Sequence, residues 1–446
     1  MKEKEILADV RERLGINELN EMQRKMLSVS SEKRDIILLS PTGSGKTLAF
    51  TLPVLKMMKP STGQLQCVVI APSRELVIQI AGVMRGAGKA FRVIALYGGH
   101  NVEDEVNSLK VTPDIIVATP GRLLDHSVRK NLELLPVRIL VLDEFDKTLE
   151  LGFEDEMGKL VKRMKNVSRI ILTSATDTDI LPSFLNLNNP IKVDFNHGAA
   201  DVRNRMNVRS VATNSNDKLE GLLALLYNIN KKTPTPEKAI IFVNHRESAE
   251  RVYGFLKRKK VACVLYHGAI DQKDREIAIA MFNNGSCPIL VATDLAARGL
   301  DIERVGAVIH YHQPLTEDAY IHRNGRTARV EAEGDIYVLL GPEEKVQPFV
   351  RPDGSFMIDY NESSNLSHRF MSIYISGGKK EKLSKGDILG FLVKECNISP
   401  DDIGKINVFD HYSLLAVKED KVAELLNEAN SKKLKGEKRK FRCLNK

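Results

Sequence analysis

The stretch Ser40-Pro-Thr-Gly-Ser-Gly-Lys-Thr47 decides the predicted fold of this chain. It follows an apolar run at residues 36–39 and precedes a helical pattern at residues 48–58, so we expect a glycine-rich turn between a strand and a helix. The backbone N–H groups of such a turn, together with the positive end of the helix dipole, bind phosphate. Lys46 would reach the β- and γ-phosphates, and the hydroxyl of Thr47 would bind Mg²⁺. The stretch therefore predicts a nucleotide-binding α/β domain.

Length and composition indicate a globular protein of several domains. The chain has 446 residues, enough for two or three domains. No apolar run approaches the ~18–20 residues of a membrane-spanning helix, and the charged N-terminal residues lack the apolar core of a signal peptide. The five cysteines are scattered and never form a Cys-x-x-Cys pair. We expect a cytoplasmic protein with reduced cysteines and no membrane partner.

The net charge of +8 is concentrated at one end of the chain. Residues 432–446 contain eight basic residues and one acidic residue, Glu437, which is a net charge of +7. A basic tail of this kind is often only a solvated end, but it is also the electrostatic footprint of a nucleic-acid partner. A strand-like alternation would place Lys438, Lys440 and Arg442 on one face of the tail.

Two successive series of strands and helices predict two doubly wound parallel-sheet lobes, at residues 1–195 and 205–362, joined by a linker at residues 196–204. Several strands are unbroken apolar runs, as expected where helices cover both faces of a sheet. The expected strands are residues 36–39, 67–71, 93–97, 115–118, 139–142 and 170–173 in the first lobe, and 239–243, 262–266, 289–292, 307–310 and 336–340 in the second. Only the first lobe carries a phosphate-binding turn, so the second would close over the phosphates.

Residues 370–446 predict a third, small α+β domain. The expected strands are residues 371–376, 406–409, 414–417 and 439–444, and the expected helices are 385–395, with Ser384 as N-cap, and 421–429. This β-α-β-β-α-β order is the ferredoxin-like order of RNA-recognition domains, and of many domains that never bind RNA.

Two further motifs carry charged side chains suited to phosphoryl transfer. Asp143 and Glu144 follow an expected strand, where Asp143 would hold Mg²⁺ and Glu144 would orient and deprotonate the attacking water. Arg326 and Arg329 are spaced by one helical turn, and their guanidinium groups could act on the γ-phosphate as arginine fingers. In isolation, the first motif also fits a strand end in solvent, and the second fits surface arginines on a helix.

Together these motifs resemble the DEAD-box family of RNA-dependent ATPases and helicases over roughly residues 6–345. In the first lobe the matched segments are residues 15–23 (the Q motif), 40–47, 72–76, 98–99, 119–122, 143–146 and 174–176. In the second lobe they are residues 242–244, 267–268, Gln272 with Arg275, 293–301 and 322–329.

The resemblance implies a role for each matched position, with ATP and Mg²⁺ as cofactors. Adenine would be bonded by Gln23, the ribose by Asp301, and the phosphates by Thr42, Gly43, Ser44, Gly45, Lys46 and Thr47. RNA phosphates and sugars would be held by Arg74, Gly99, Thr119, Arg122, Gln272, Arg275 and Thr293. Hydrolysis would be coupled to lobe closure by Asp146, Ser174, Thr176 and His322. Contacts to the RNA backbone give little sequence preference.

Four departures from the family pattern bear on these roles, and one of them, Ser40, only exchanges one small residue for another. Ile6 stands where the family has an aromatic residue that stacks on adenine, so we expect only apolar contact there. Phe145 replaces an alanine, and Ala328 replaces a glycine between the two arginines. We expect Phe145 to leave the chemistry intact, because Asp143, Glu144 and Asp146 remain. We expect Ala328 to do little harm, because alanine is a better helix former than glycine.

Residues 370–446 resemble the divergent RNA-recognition domain at the end of bacterial DbpA-type helicases. The resemblance implies that this domain binds structured large-subunit ribosomal RNA and that the enzyme assists ribosome assembly. The expected first strand offers only one aromatic residue, Tyr374, and the third offers none. RNA would therefore bind a surface other than the sheet face used by standard RNA-recognition domains.

The sequence thus predicts a monomeric ATP-dependent RNA helicase that locally unwinds duplexes. An ATP-dependent RNA clamp, or a ribonucleoprotein remodeller with little strand separation, shares the same motifs and stays open as the alternative. The motif set disfavours a DNA translocase. Intact Lys46, Glu144, Arg326 and Arg329 argue against a scaffold protein with a vestigial ATPase site.

Overall fold

The computed structural model describes residues 2–40, 44–61, 63–99, 102–174, 181–195, 206–231, 233, 236–297, 302, 305–327, 334–364, 366 and 369–445. These residues divide into two compact units, one before and one after the segment 196–205. The predicted linker at residues 196–204 lies outside the described residues. Within them, no helix has the length and apolar character needed to cross a bilayer.

The first unit contains a seven-stranded parallel sheet between layers of helices. Its strands are β1 Ile36–Leu39, β2 Cys67–Ile70, β3 Val93–Leu96, β4 Ile115–Ala118, β5 Ile139–Leu142, β6 Arg169–Ser174 and β7 Ile191–Asp194, in the order β3-β4-β2-β5-β6-β1-β7. Its helices are α1 Glu3–Leu14, α2 Glu21–Val29, α3 Lys46–Met57, α4 Arg74–Ala87, α5 Val102–Leu109, α6 Pro120–Val128, α7 Phe145–Glu150 and α8 Glu154–Arg163.

Alternate side chains of each central strand enter two separate cores. In β5, Ile139 and Val141 pack with α1 to α4, whereas Leu140 and Leu142 pack with α6 and α8. Because successive strand residues point to opposite faces, a strand covered on both faces must be apolar throughout. This arrangement confirms the expectation drawn from the unbroken apolar runs.

The second unit begins with a sheet of the same kind. Its parallel strands are β8 Met206–Ala212, β9 Ala239–Phe242, β10 Cys263–Tyr266, β11 Ile289–Ala292, β12 Ala307–His310, β13 Gly334–Leu340 and β14 Gly354–Ser355, in the order β10-β11-β9-β12-β13-β8-β14. The helices are α9 Leu219–Ile229, α10 Arg246–Arg258, α11 Gln272–Asn283 and α12 Glu317–Asn324.

The C-terminal domain of the second unit is an antiparallel sheet with two helices on one face. The strands are β15 Phe370–Ser376, β16 Ile403–Val408, β17 Tyr412–Lys418 and β20 Phe441–Cys443, in the order β16-β17-β15-β20; the helices are α13 Lys385–Lys394 and α14 Val422–Ser431. A two-stranded hairpin, β18 Lys433–Leu434 with β19 Glu437–Lys438, precedes the last strand. The β-α-β-β-α-β order is confirmed, with this hairpin added.

The opposite face of this sheet is not open to solvent over its centre. Tyr412 and Leu414 of β17 pack with Ala280 and Ile277 of α11. The prediction that the third strand carries no aromatic residue is wrong, because β17 begins at Tyr412, two residues before the expected start. Tyr374 and Tyr412 stack with ring centroids 5.6 Å apart, and this aromatic face is covered by α11.

Candidate ATP and RNA sites

The residues predicted to act on ATP and those predicted to bind RNA follow different strands of the first sheet. Because all strands are parallel, the residues that follow them lie along one edge. The neighbouring strands β5, β6 and β1 are followed by the residues predicted to act on ATP. The neighbours β3, β4 and β2 are followed by Gly99, Thr119 and Arg74, which are predicted to bind RNA.

The described residues on either side of the predicted phosphate-binding turn contact each other. Gly45 has φ +90°, a left-handed conformation that favours glycine, and α3 starts immediately after it. Nζ of the buried Lys46 donates to the carbonyl oxygen of Ser40 at 3.0 Å, and the Ser40 and Ser44 hydroxyls are 2.7 Å apart. The ammonium group is thus held at the residue that directly follows β1. Thr42 and Gly43 lie outside the described residues.

The Q-motif glutamine contacts the same turn. Gln23 is the third residue of α2, and its Oε1 accepts from the backbone N–H of Asn20 at 3.0 Å, forming a capping box. Its Nε2 lies 3.4 Å from the carbonyl oxygen of Gly45, where a Cβ would come within 2.7 Å of it. Asn20 also donates to the carbonyl oxygen of Ser44 at 3.0 Å. Asn20 was not predicted as a site residue, although the Asn-x-x-Gln spacing is a signal for it.

Asp143 and Glu144 are held at the end of β5 by a residue that the sequence did not indicate. Thr173 of β6 donates its hydroxyl to Oδ1 of Asp143 at 2.5 Å and accepts from the backbone N–H of Glu144 at 3.2 Å. Glu144 has φ +47°, a left-handed conformation that is costly for a residue with a Cβ and recurs at functional sites. Ser174, predicted to couple to Asp146, is buried, and its carbonyl oxygen accepts from the backbone N–H of Ser40.

The charge balance around Asp143 fits a divalent cation. Burial raises the pKa of Asp143, although Lys46 and the hydroxyl of Thr173 act in the opposite direction. The ionised carboxylate is therefore only partly compensated, and a bound cation would stabilise it. The hydroxyl of Thr47 and the carboxylate of Asp143 are hard oxygen ligands of the kind that Mg²⁺ prefers.

Two of the side chains that differ from the family pattern, Phe145 and Ile6, are buried in the core. Phe145 is completely buried and packs with Leu142 and Met157, so its side chain lies away from the carboxylates beside it. Ile6 is also completely buried, in the core between α1 and α4. The expectation that Ile6 offers apolar contact to adenine gains no support from this position.

The side chains of the first unit that are predicted to contact RNA pack against a tight turn, a buried carboxylate or a helix start. The guanidinium of Arg74 covers the turn at Gly99, which has φ +97°, and a Cβ there would overlap it. Nε of Arg122 lies 3.0 Å from the buried carboxylate of Glu105, which also pairs with His126 at 2.7 Å. Thr119 is the N-cap residue of α6. Glu105 was not predicted, because nothing in its local sequence marks it as buried.

The corresponding edge of the second unit is organised by an arginine that the sequence analysis did not single out. The fully buried Arg323 donates to Oδ1 of Asp294 at 2.5 Å and to Oδ1 of Asn244 at 2.8 Å, connecting three of the matched segments. His322 is buried beside it. The prediction that Arg326 lies on a helix is wrong, because α12 ends at Asn324, before Gly325. Arg326 is buried in the turn that follows. Arg329, Asp301 and Thr176 lie outside the described residues.

Three further predicted RNA-contact residues lie at two positions on this edge. Gln272 and Arg275 are in the first turn of α11, and Nη2 of Arg275 donates to Oε1 of Gln272 at 2.6 Å. Thr293 follows β11, and its backbone N–H donates to the carbonyl oxygen of Tyr266.

Comparison with known proteins places this arrangement in a family. The family described as DEAD/DEAH box helicase matches residues 20–181, the helicase conserved C-terminal domain matches residues 217–331, and the DbpA RNA binding domain matches residues 372–442. The ATP-dependent RNA helicase DbpA of Escherichia coli (strain K12) is 30% identical over 444 residues, which cover 97% of this chain and 95% of that protein. The chain belongs to the DEAD-box family of ATP-dependent RNA helicases.

Other DEAD-box helicases match the two lobes without the C-terminal domain. RhpA of Helicobacter pylori (strain B128) is 34% identical over 337 residues, 74% of this chain, which spans only 66% of RhpA. The structure of Dbp5 of S. cerevisiae bound to RNA and ADP BeF3 has a TM-score of 0.65 and 27% identity, covering 76% of this chain and 88% of that one. This DEAD-box helicase therefore has two RecA-like lobes, uses ATP and binds RNA.

The basic tail of this DEAD-box helicase is partly neutralised by acidic neighbours. Lys432 pairs with Glu428 at 2.6 Å, Lys435 with Asp387 at 2.9 Å, and Arg439 with Glu437 at 2.6 Å. Within the part of the chain that the structure describes, four exposed tail cations form no ion pair: Lys433, Lys438, Lys440 and Arg442. Arg439 is half-buried and Phe441 is buried, so the predicted alternation is observed even though the strand is interrupted.

Proposed function

We propose that this DEAD-box helicase hydrolyses ATP with Glu144 as the general base. The observation that carries the proposal is the constellation of Asp143, Glu144 and Thr173 beside Lys46. Lys46 and the N–H groups of the turn would bind the phosphates, and Asp143 with Thr47 would hold Mg²⁺, which neutralises phosphate charge when bound. Glu144 would take the proton of the attacking water, and Arg326 and Arg329 would stabilise the charge that develops on the γ-phosphate.

The proposed division of labour follows the three predicted segments. Residues 1–195 would bind ATP and one part of the RNA, residues 205–362 would supply the arginines and further RNA contacts, and residues 370–446 would select the RNA. The proposed target is structured large-subunit ribosomal RNA, bound by a cytoplasmic monomer during ribosome assembly. The resemblance to DbpA-type helicases supports this target, and the unpaired cations of the tail support a nucleic-acid partner in general. An RNA clamp with little strand separation is the competing proposal.

The hydrolytic role is tested by Glu144→Gln in the full chain. RNA-stimulated ATP hydrolysis should fall at least ~100-fold, within the range of general acid–base contributions, while ATP-dependent RNA binding persists. Glu154→Gln, an exposed residue of α8, is the matched control and should behave as wild type. Wild-type turnover of Glu144→Gln would refute the assignment. A duplex-separation assay on the wild type distinguishes the helicase from the clamp.

RNA selection is better tested by surface variants than by truncation, because removing residues 370–446 would expose the apolar face of α11. Lys438→Ala/Lys440→Ala should reduce the preference for a ribosomal hairpin over a generic RNA. The salt dependence of binding should also decrease, by ~0.7–0.9 in log–log slope for each lost phosphate contact. Lys432→Ala/Lys435→Ala removes the same charge from ion-paired positions and should have a smaller effect. Equal effects of both variants would refute a specific cation row.

A further inference from the structure

Helix α11 is shared by the second lobe and the C-terminal domain. Beyond the apolar packing of Ile277 and Ala280 on β17, the end of the helix is joined to β15 by buried hydrogen bonds. Nδ2 of Asn284 donates to the Ser372 hydroxyl at 2.8 Å, and the hydroxyls of Ser286 and Ser372 are 2.7 Å apart. Buried polar groups paired in this way are costly to separate. The C-terminal domain is therefore docked on the helix.

The other end of α11 carries two predicted RNA-contact residues in a chain of hydrogen bonds. Arg275 donates to Oε1 of Gln272, and Nε2 of Gln272 lies 3.3 Å from Oε1 of Glu276. These residues are three and four positions apart, so they lie on one face of the helix. The second oxygen of Glu276, Oε2, accepts from the hydroxyl of Tyr412 at 3.1 Å.

This chain of bonds begins in the C-terminal domain and ends at the RNA-contact residues. Glu276 has one oxygen for each partner, so the Tyr412 hydroxyl fixes the direction in which its carboxylate points. That carboxylate in turn orients the amide of Gln272, whose oxygen orients the guanidinium of Arg275. Lys273 lies over the rings of Tyr374 and Tyr412, at 5.5 and 5.3 Å from their centroids, and so adds cation–π contacts beside the Glu276 carboxylate. Arg275 itself is buried.

We propose that Tyr412 and Glu276 are positioning residues for Gln272 and Arg275. The docked C-terminal domain then sets the affinity of the helicase core for any single-stranded RNA, separately from the structured RNA that the domain binds on its own surface. This inference rests on the proposed RNA contacts of Gln272 and Arg275.

The test uses the full chain and poly(U), which offers the C-terminal domain no structured target. In Tyr412→Phe, the RNA concentration that half-maximally stimulates ATP hydrolysis should rise about 3- to 10-fold. A change of this size corresponds to part of the free energy that a hydrogen bond to a charged group contributes. The kcat at saturating RNA and the KM for ATP should stay unchanged. Tyr374→Phe is the matched control. It removes a hydroxyl from the stacked neighbour, and that hydroxyl makes no hydrogen bond among the described residues.

A double-mutant cycle identifies the pathway. Glu276→Ala should raise the half-stimulating concentration at least as much as Tyr412→Phe, and adding Tyr412→Phe to it should have no further effect. If Tyr412→Phe matches wild type while Arg275→Ala weakens RNA stimulation, the positioning role is overturned and the RNA contact stands. If Arg275→Ala itself leaves RNA stimulation unchanged, the proposed contact fails and the positioning role fails with it. Additive effects of Tyr412→Phe and Glu276→Ala would also overturn the relay.

Discussion

Thr173 of β6 donates its hydroxyl to Oδ1 of Asp143 at the end of β5, across 2.5 Å. The hydroxyl oxygen of Thr173 also accepts from the backbone N–H of Glu144, so one hydroxyl fixes the carboxylate of Asp143 and the backbone of Glu144 relative to each other. Networks of this kind in a buried site are worth more than their separate bonds, because the low dielectric strengthens each one.

Thr173→Val keeps the shape of the side chain and removes the hydroxyl. We expect kcat of RNA-stimulated ATP hydrolysis to fall about 3- to 10-fold, with a smaller change in the KM for ATP, because the Asp143 carboxylate and the Glu144 backbone N–H lose their common hydrogen-bond partner. Thr173→Ser is the control, since it keeps the hydroxyl and loses only a methyl group. If the valine and serine variants turn over equally, the hydroxyl has no part in aligning the carboxylates.

Asp143→Asn should stabilise the folded chain and abolish ATP hydrolysis. The folded-state pKa of Asp143 is raised, so the folded protein favours the protonated form; this stabilisation is present at low pH and is lost as the pH rises through the folded pKa. Removing the charge should therefore raise the Tm of the nucleotide-free chain at pH 8 by roughly 2–4 °C per kcal/mol gained, while turnover is lost. Asp155→Asn, on the exposed start of α8, should change neither. A lower Tm for Asp143→Asn at pH 8 would contradict the charge argument.

Glu105→Gln should weaken RNA binding without touching the ATP site. The carboxylate of Glu105 is buried and pairs with both Arg122 and His126, so a neutral amide leaves the guanidinium less firmly held. We expect the RNA concentration for half-maximal ATPase stimulation to rise several-fold at unchanged kcat. Glu133→Gln, at an exposed position of the same unit, is the control. An unchanged RNA dependence would show that Arg122 needs no carboxylate partner.

The second unit should lose stability in mild acid. Burial and the nearby positive charge of Arg323 lower the pKa of His310 to about 3. The unfolded chain takes up this proton below about pH 6.5, so the stabilisation is complete above that value and is lost as the pH falls toward 3. One proton changes the free energy of unfolding by about 1.4 kcal/mol per pH unit in this window. Urea titrations at several pH values from 7 to 5 give the free energy of unfolding as a function of pH. This free energy should change less with pH in His310→Gln than in wild type, and an equal change would contradict the buried neutral histidine.

The sequence could predict the framework because its strands are covered on both faces. The strands Ile36–Leu39, Ile115–Ala118, Ile139–Leu142 and Ile289–Ala292 were predicted to the residue, since a short apolar run between polar residues or proline is typical of a strand covered on both faces. Strands β7 and β8 were not predicted, because they mix polar with apolar residues, which gives no unbroken run.

The candidate site was predictable only where function itself dictates the residue type. Lys46, Asp143 and Glu144 follow from the chemistry of phosphoryl transfer. Thr173, Glu105 and Arg323 do not, because each is a buried polar residue whose meaning depends on a partner distant in the chain. The aromatic face of the third domain was missed for a smaller reason: the start of β17 was placed two residues late, which left out Tyr412.

The covering of the third domain's sheet by α11 limits how this enzyme can be recombined. A chimera made by moving residues 370–446 onto another helicase core would carry Tyr412, Leu414 and Ser372 to a surface that lacks their partners. The C-terminal domain therefore cannot be transferred alone without exposing the face that packs on α11. The unit that can be moved intact is the C-terminal domain together with the second lobe. Exchanging the domain alone would require a matching change in the surface of α11.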